Sequence, residues 1–528
     1  MINLIPRPLR VTELKEKKYF STSTVVCGDF CDTVKLFEYL IPKSVNAPKN
    51  TLTFIKDASL AADGYKITYN GENIQIYCAD KGGALYGFMT LVQLCAGKEQ
   101  FDAADITDKP KFSWRGFMLD CSRHFWPVEH IKKTLDTLAF LKMNVFHWHL
   151  CDDQGWRIEI KKYPILTEKG TARKGSTRSP EQSIDKEKAY DDGPYGKGLY
   201  YTQEAAKEIV RYAAERNITV VPEIDVPGHS AAIIACMPEL SCTGEPIDVE
   251  ARYGILDKVL CPSKPRIYEV LKDIFDELCE IFPAPYFHIG GDEVVPDAWN
   301  NCPNCQALMK EHNLKDHVGL HAYFNDIIIA HLRSRGKKVI GWNEMLNEKI
   351  DKTSVGQFWT FERGLEQALE MINRQGFKAI MSSQVYLYAD YPYSRLSLPA
   401  TYNFNATSLG IESEESILGY EMPLWTEYID NVLKFKFQTD VRFLALSETC
   451  WTDQKLKNYE GFEKRVEEMR GYFETLDMVI PPRRIYNGYS FDGAEDMTYY
   501  DRRMKGFTDY WYHDPECEFN YFKNLTCR

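Results

Sequence analysis

From Lys111 onward, short apolar runs alternate with longer segments whose apolar residues recur at helical spacing, and this pattern constrains the fold more than any other feature. Arg115 to Asp120 reads as a first strand, followed by a helix face of Ile131, Leu135, Leu138 and Ala139. Asn144 to Leu150 and Thr219 to Ile224 are the next strands. Between them Thr202 caps a helix over 203–216 that turns Ile209, Val210, Ala213 and Ala214 inward. Tyr286 to Gly290 follows a helix that begins near Pro265. Lys338 to Trp342, Val355 to Trp359, Phe377 to Ser382 and Leu418 to Trp425 complete eight strands. Helices over 317–335 and 363–375 stop at Gly336 and Gly376, and another covers about 432–450. The pattern predicts an α/β chain with a (β/α)8 TIM barrel over 111–452.

Residues 1–110 read as a small α+β domain. Tyr65, Ile67 and Tyr69, then Ile74 and Ile76, alternate with polar residues across the hairpin signal Asn70-Gly71-Glu72, and a helical run from Ala84 to Leu94 follows. Residues 453–528 hold one more helix, about 459–475, and an aromatic, polar tail, expected as a short extension packed on the barrel. A charged fraction of 27% and a hydrophobic fraction of 44% exclude a disordered or collagenous chain. The net charge of −12 argues against a nucleic-acid partner, which needs a basic face, and no membrane-spanning run appears. Met1 to Pro8 lacks the apolar core of a signal peptide; the expectation is a cytoplasmic protein, or a secreted or periplasmic one if the natural chain starts before Met1. Fifteen irregularly spaced cysteines suit reduced thiols rather than a disulfide scaffold, and the oligomeric state is left open.

Barrels of this kind work at the C-terminal ends of their strands. Those ends carry Asp120 with Arg123, His147 and His149, Glu223 and Asp225 with His229, Asp292-Glu293, Trp342, Trp359, Tyr388 with Asp390, and Trp425 with Glu427. Indole faces pack on the C–H faces of sugar rings, and carboxylates with Arg bind hydroxyls; the alternative is that the tryptophans are core. At the centre is His288-Ile289-Gly290-Gly291-Asp292-Glu293. On an extended strand, adjacent side chains point to opposite sides. Read that way, the two acids do not easily flank one anomeric carbon at the ~5–5.5 Å of a nucleophile and acid pair. Glu293 then reads as the general acid and Asp292 as an orienting, charge-stabilising neighbour.

These residues, with Phe146 to Arg157, Val221 to His229, Gly341 to Glu344 and Trp425 to Glu427, resemble the motifs of the β-N-acetylhexosaminidases of glycoside hydrolase family 20. The resemblance runs from about residue 1 to 475. It implies retaining removal of terminal β-linked N-acetylglucosamine or N-acetylgalactosamine from a small or oligosaccharide glycan, with the substrate's own acetamido oxygen as nucleophile and an oxazolinium intermediate. It implies Glu293 as acid and base, Asp292 on the acetamido N–H, and Tyr388 on the acetamido oxygen. Trp342, Trp359 and Trp425 would wall the sugar, Arg123 would take the 3- and 4-hydroxyls, and Asp390 and Glu427 the 4- and 6-hydroxyls. His229 and His288 would support the acids, and neither a cofactor nor a catalytic metal is implied.

Two stretches depart from the family pattern. In Tyr386-Leu387-Tyr388-Ala389-Asp390 the first tyrosine competes with Tyr388 for the acetamido role, with Tyr388 preferred for its spacing to Asp390. Tyr420 and Pro423 suggest a bent eighth strand and an altered rim. The alternatives are a disaccharide-releasing (lacto-N-biosidase-like) or transglycosylating relative, a metal-dependent barrel hydrolase using His147, His149, His229, His288 and Asp292, and a glycan-binding barrel without catalysis. Cys302-Pro303-Asn304-Cys305 reads as an isolated CxxC on a loop, with a local disulfide favoured over a metal because no second pair is near in sequence.

Overall fold

A computed structural model describes residues 2–177, 193–347, 350–360 and 365–488. Eight parallel strands close into a barrel: β7 (Trp114–Asp120), β8 (Val145–His149), β11 (Thr219–Glu223), β12 (Tyr286–His288), β13 (Lys338–Trp342), β14 (Val355–Phe358), β15 (Lys378–Met381) and β16 (Ile417–Leu424). All eight coincide with the strands expected from the sequence. Two short strands, β9 (Cys151–Asp152) and β10 (Gly155–Trp156), form a hairpin above β8.

The helices form where their sequences favour them. The Thr202 hydroxyl accepts the Ala205 N–H at the start of Gln203–Glu215, whose Ala206, Ile209 and Ala213 are buried. Pro265 opens Pro265–Ile281, where its missing N–H costs nothing, and Ile267, Val270, Leu271, Ile274, Phe275 and Leu278 are buried. Every residue of β7 and β8 is buried, as expected for a parallel sheet covered by helices outside and filled inside.

The barrel interior is layered. An apolar floor of Trp114, Val145, Val221, Ile340, Val355 and Ile380 lies at the N-terminal end. Above it sits a fully buried polar layer. The Glu421 carboxylate accepts from Trp114 Nε1 (2.8 Å) and Gln357 Nε2 (2.7 Å) and pairs with His147 Nδ1 at 2.8 Å. The Glu223 carboxylate accepts from Trp342 Nε1 (3.0 Å) and pairs with His147, His149 and His288. Such groups are tolerable inside only because each meets a counter-charge or a donor. The layer fixes Trp342 directly beneath the mouth.

Residues before the barrel form more sheet than expected. Six strands run in the order β1-β6-β4-β5-β3-β2: β1 (Arg10–Tyr19), β2 (Val25–Gly28), β3 (Thr51–Lys56), β4 (Tyr65–Asn70), β5 (Asn73–Cys78) and β6 (Gln100–Asp108). The helix Lys81–Cys95 is capped by Asp80 and packs on this sheet. The expected β4–β5 hairpin is present. The sheet is tied to the barrel through Asp108, which accepts from Tyr65, Lys142 and Trp451. The helix Tyr459–Thr475 packs on the barrel, with Arg465 Nη2 bonding both Glu448 oxygens at 2.6 Å. The tail beyond residue 488 lies outside the described residues, as do residues 178–192 of the loop around 170–200.

The eighth strand is irregular, but not at Pro423. Its register against β15 slips between Ile417 and Gly419, and Pro423 pairs normally with Met118 of β7. β15 pairs no further than Tyr420, so the proline removes no ladder bond. The Tyr420 hydroxyl accepts the Ala406 N–H, and its ring packs on Phe112 and Phe404.

Candidate active site

The strand β12 stops at His288, and the chain then turns. Gly290 and Gly291 take φ of 67° and 93°, and Glu293 takes 52°. Left-handed backbone at a glutamate is costly and is typically retained where function over-determines it. The premise of an extended strand through Asp292 and Glu293 is therefore corrected: the turn brings both acids to one histidine. His229, itself left-handed at φ 44°, places Nε2 3.8 Å from Asp292 Oδ2 and 3.5 Å from Glu293 Oε2. Gly290 has no room for a side chain, since a Cβ there would lie 1.8 Å from Asp225 Oδ1. That same oxygen accepts the Gly291 N–H at 3.1 Å and holds the turn from below.

Burial and charge set the protonation of this cluster. Burial, with the neighbouring Asp225 and Glu293, holds the Asp292 carboxyl well above the ordinary carboxylate range. Burial also pushes Asp225 up to about 7. Burial alone would lower His229, but Asp152, Asp153 and Glu293 hold it well above its ordinary value. Its Nδ1 lies 3.2 Å from both Asp152 Oδ1 and Asp153 Oδ2. Asp292 Oδ1 is buried and has no hydrogen-bond partner among the described residues. It is an acceptor left for something that enters the mouth.

Aromatic side chains wall this mouth. Trp342 and Trp425 have ring centroids 5.8 Å apart, Tyr388 lies 6.3 Å from Trp425, and Trp359 stacks on Tyr388 at 6.4 Å. Tyr386 stacks instead on Phe404 at 5.0 Å, away from this group. Trp359 Nε1 donates to Glu344 Oε2 at 2.9 Å, and burial followed by Asp292 pushes Glu344 up to about 8. Asp225 stood among the strand-end candidates without an assigned role, and Glu344, Asp152 and Asp153 were not singled out as site residues from the sequence. Their signal lay in the motifs around them, and only the fold shows that they contact the acids or the walls.

On the opposite side Arg123 is held rigidly. Its Nε donates to Gln154 Oε1 (2.8 Å), its Nη2 pairs with Asp152 (2.7 Å), its Nη1 with Asp120 (3.2 Å), and its plane lies 5.0 Å over the Trp425 ring. Glu427 is 3.9 Å from Nη1. Burial, then Glu427, pushes Asp390 up to about 8, and its Oδ1 is a second buried oxygen with no hydrogen-bond partner among the described residues. The predicted site residues thus gather at the mouth or directly beneath it. His288 lies below, against Glu223 (2.9 Å), Trp342 and His147, and its Nδ1 accepts the Gly290 N–H at 3.0 Å, so it supports the turn that carries the acids from beneath.

The buried imidazoles also bear on metal binding here. Groups such as Asp225, His229 and Asp292 come close enough together to hold an ion. Carboxylates overcome burial to hold His147 up at about 9 and His149 well above its ordinary value, as they do His229, whereas burial lowers His288. The CxxC reading changes too: Cys302 caps, and Cys305 lies inside, the helix Pro303–Glu311, and the fold brings Cys242 and Cys261 to them.

A (β/α)8 barrel with paired acids in an indole-walled mouth is the architecture of a sugar-processing hydrolase. The chain belongs to glycosyl hydrolase family 20: residues 112–454 match its catalytic domain and residues 1–109 its domain 2. It is 33% identical to a beta-hexosaminidase of Porphyromonas gingivalis over 88% of this chain and 62% of that one. It is 34% identical to a beta-hexosaminidase of Vibrio furnissii over 74% of this chain and 65% of that one. The chain thus spans less than two thirds of the length of these two curated relatives. The crystal structure of an exo beta-N-acetylglucosaminidase from Vibrio harveyi with N-acetylglucosamine superposes with a TM-score of 0.77 at 29% identity, covering 93% of this chain and 78% of that one. Among the described residues no helix is long and apolar enough to cross a membrane.

Proposed function

We propose that the chain is a retaining exo-β-N-acetylhexosaminidase that removes terminal β-linked N-acetylglucosamine or N-acetylgalactosamine. The observation that carries this reading is the turn after β12, where Asp292 and Glu293 share His229 within a mouth walled by Trp342, Trp359, Trp425 and Tyr388. The N-acetylglucosamine bound to the Vibrio harveyi relative supports a sugar carrying an acetamido group. Residues 1–110 then serve as an accessory domain, 111–452 as the catalytic barrel and 453–528 as an extension, a division supported by the family match changing domain between 109 and 112.

In this reading the acetamido N–H meets Asp292 Oδ1 and the Tyr388 hydroxyl donates to the acetamido oxygen. That oxygen attacks the anomeric carbon as Glu293 protonates the leaving oxygen. An internal nucleophile has the proximity advantage, up to ~7–11 kcal/mol in well-oriented models. Burial makes an ionised Asp292 costly, and the positive charge developing on the oxazolinium offsets that cost, so Asp292 acts as the carboxylate throughout and stabilises the intermediate. Glu293 then takes a proton from the water that opens the ring. Arg123, Asp390 and Glu427 hold the hydroxyls of the terminal sugar.

The test compares nitrophenyl β-glycosides carrying 2-acetamido, 2-trifluoroacetamido and 2-hydroxyl groups. Turnover should fall steeply along that order as the internal oxygen loses nucleophilicity. Equal rates on the acetamido sugar and the plain glucoside would overturn the mechanism.

A further inference from the structure

Four cysteines far apart in sequence meet beside the catalytic loops. The Sγ atoms of Cys242, Cys261, Cys302 and Cys305 all lie within 4.8 Å of one another. Cys261 is 3.4 Å and Cys242 3.9 Å from Cys305, so all four thiols are unbridged. Four thiolates around a tetrahedral zinc at ~2.3 Å each would stand about 3.8 Å apart, between those two distances. Cys261, Cys302 and Cys305 are buried, and the Ser263 hydroxyl lies 3.1 Å from Cys261 Sγ and 3.7 Å from Cys305 Sγ, placed to donate to thiolates.

We propose that Cys242, Cys261, Cys302 and Cys305 form a structural tetrathiolate site for one zinc ion, separate from the sugar-binding mouth. Three considerations favour metal over other uses of these thiols. A disulfide would use two sulfurs and leave two more buried against it, whereas a metal uses all four. Zinc is matched by softness and geometry to a closed four-sulfur shell, with no open position for a substrate. The ligands also come from two separate loops, as in a clamp. Cys242 and Cys261 flank the bridge between Ser241 and Leu260 in the loop after β11. Cys302 caps, and Cys305 lies in, the helix Pro303–Glu311, the second after the Asp292-Glu293 turn.

The clamp lies close to the chemistry. Leu260 donates its N–H to Pro227 O, two residues before His229, and its carbonyl accepts Trp299 Nε1 at 2.8 Å. An ion here would join the loop that carries His229 to the loop that carries Glu293. It would hold in register the two segments whose side chains share a proton network.

The proposal is tested on the full chain, expressed with zinc supplied and purified without chelator. Elemental analysis should give about one zinc per chain, and the zinc absorption edge should show four sulfurs at ~2.3 Å. Titrating the native protein with an organomercurial in the presence of a zinc-sensitive dye should release the ion as four thiols react. Replacing Cys302 and Cys305 together by Ser should cut zinc content at least tenfold. Since that variant could fail to fold, the wild-type measurements decide. Less than a tenth of an equivalent of zinc, an edge dominated by nitrogen or oxygen, or a disulfide among the four in a non-reducing peptide map would each overturn the site.

Discussion

Asp292 is the residue at which stability and catalysis are most clearly opposed. It is buried among Asp225, Glu293 and Glu344, and burial, then Asp225 and Glu293, raise the cost of ionising its carboxyl. In the proposed mechanism Asp292→Asn removes the anion that stabilises the oxazolinium, while relieving the fold of a carboxylate whose charge burial disfavours. Turnover should fall by ~10²–10³, the usual loss for one preorganised electrostatic group. The thermal midpoint at neutral pH should stay the same or rise. A normal turnover number, or a large drop in midpoint, would contradict the assignment. The same cluster gives a pH dependence. Asp225, Glu344 and Asp390 are raised to about 7, about 8 and about 8, so the folded state holds their protons more tightly than the unfolded chain. Their contribution to stability is complete below the ordinary carboxylate range and is lost as pH rises towards about 8. Urea midpoints measured from pH 5 to 8 should therefore decline, and less steeply in Glu344→Gln.

At the scale of elements, the turn after β12 is the most exacting piece of the chain. Gly290→Ala would place a methyl against the Asp225 carboxylate in a left-handed conformation that alone costs about 1–2 kcal/mol. The variant should lose most activity on every substrate, and circular dichroism should show an intact barrel with a lowered midpoint. Wild-type turnover would mean that the turn does not position the acids. The barrel strands were legible because parallel strands covered on both faces are nearly continuous apolar runs. β1 was not: Arg10–Tyr19 is an exposed edge strand of alternating Lys and Glu with little apolar face to read. The acids were legible through glycine spacing, but their shared contact with His229 depends on positive φ at Gly290, Gly291 and Glu293, which side-chain alternation does not report. Likewise the CxxC looked isolated because its partners reach it only through the loop after β11.

For the whole molecule, the question is whether the N-terminal sheet is an independent passenger or part of the barrel's stability. Its last strand ends in Asp108, whose side chain accepts Tyr65 OH at 2.5 Å, Trp451 Nε1 at 2.9 Å and Lys142 Nζ at 3.2 Å. Lys142 and Trp451 belong to the barrel side, and all four groups are buried. Arg115, on the first barrel strand, reaches back to Asp63 at 2.9 Å and to Tyr86 OH at 3.1 Å. Burial lowers Lys142 to about 8 even beside Asp108, so the ammonium relies on that carboxylate. Asp108→Ala would strand it, and removing one partner of a buried pair costs about 3–5 kcal/mol. If the sheet and barrel unfold as one unit, the whole urea transition, followed by fluorescence and by circular dichroism together, should shift to lower denaturant without splitting. Two separated transitions would show that the domains are thermodynamically independent. The catalytic barrel would then owe nothing to the sheet that precedes it.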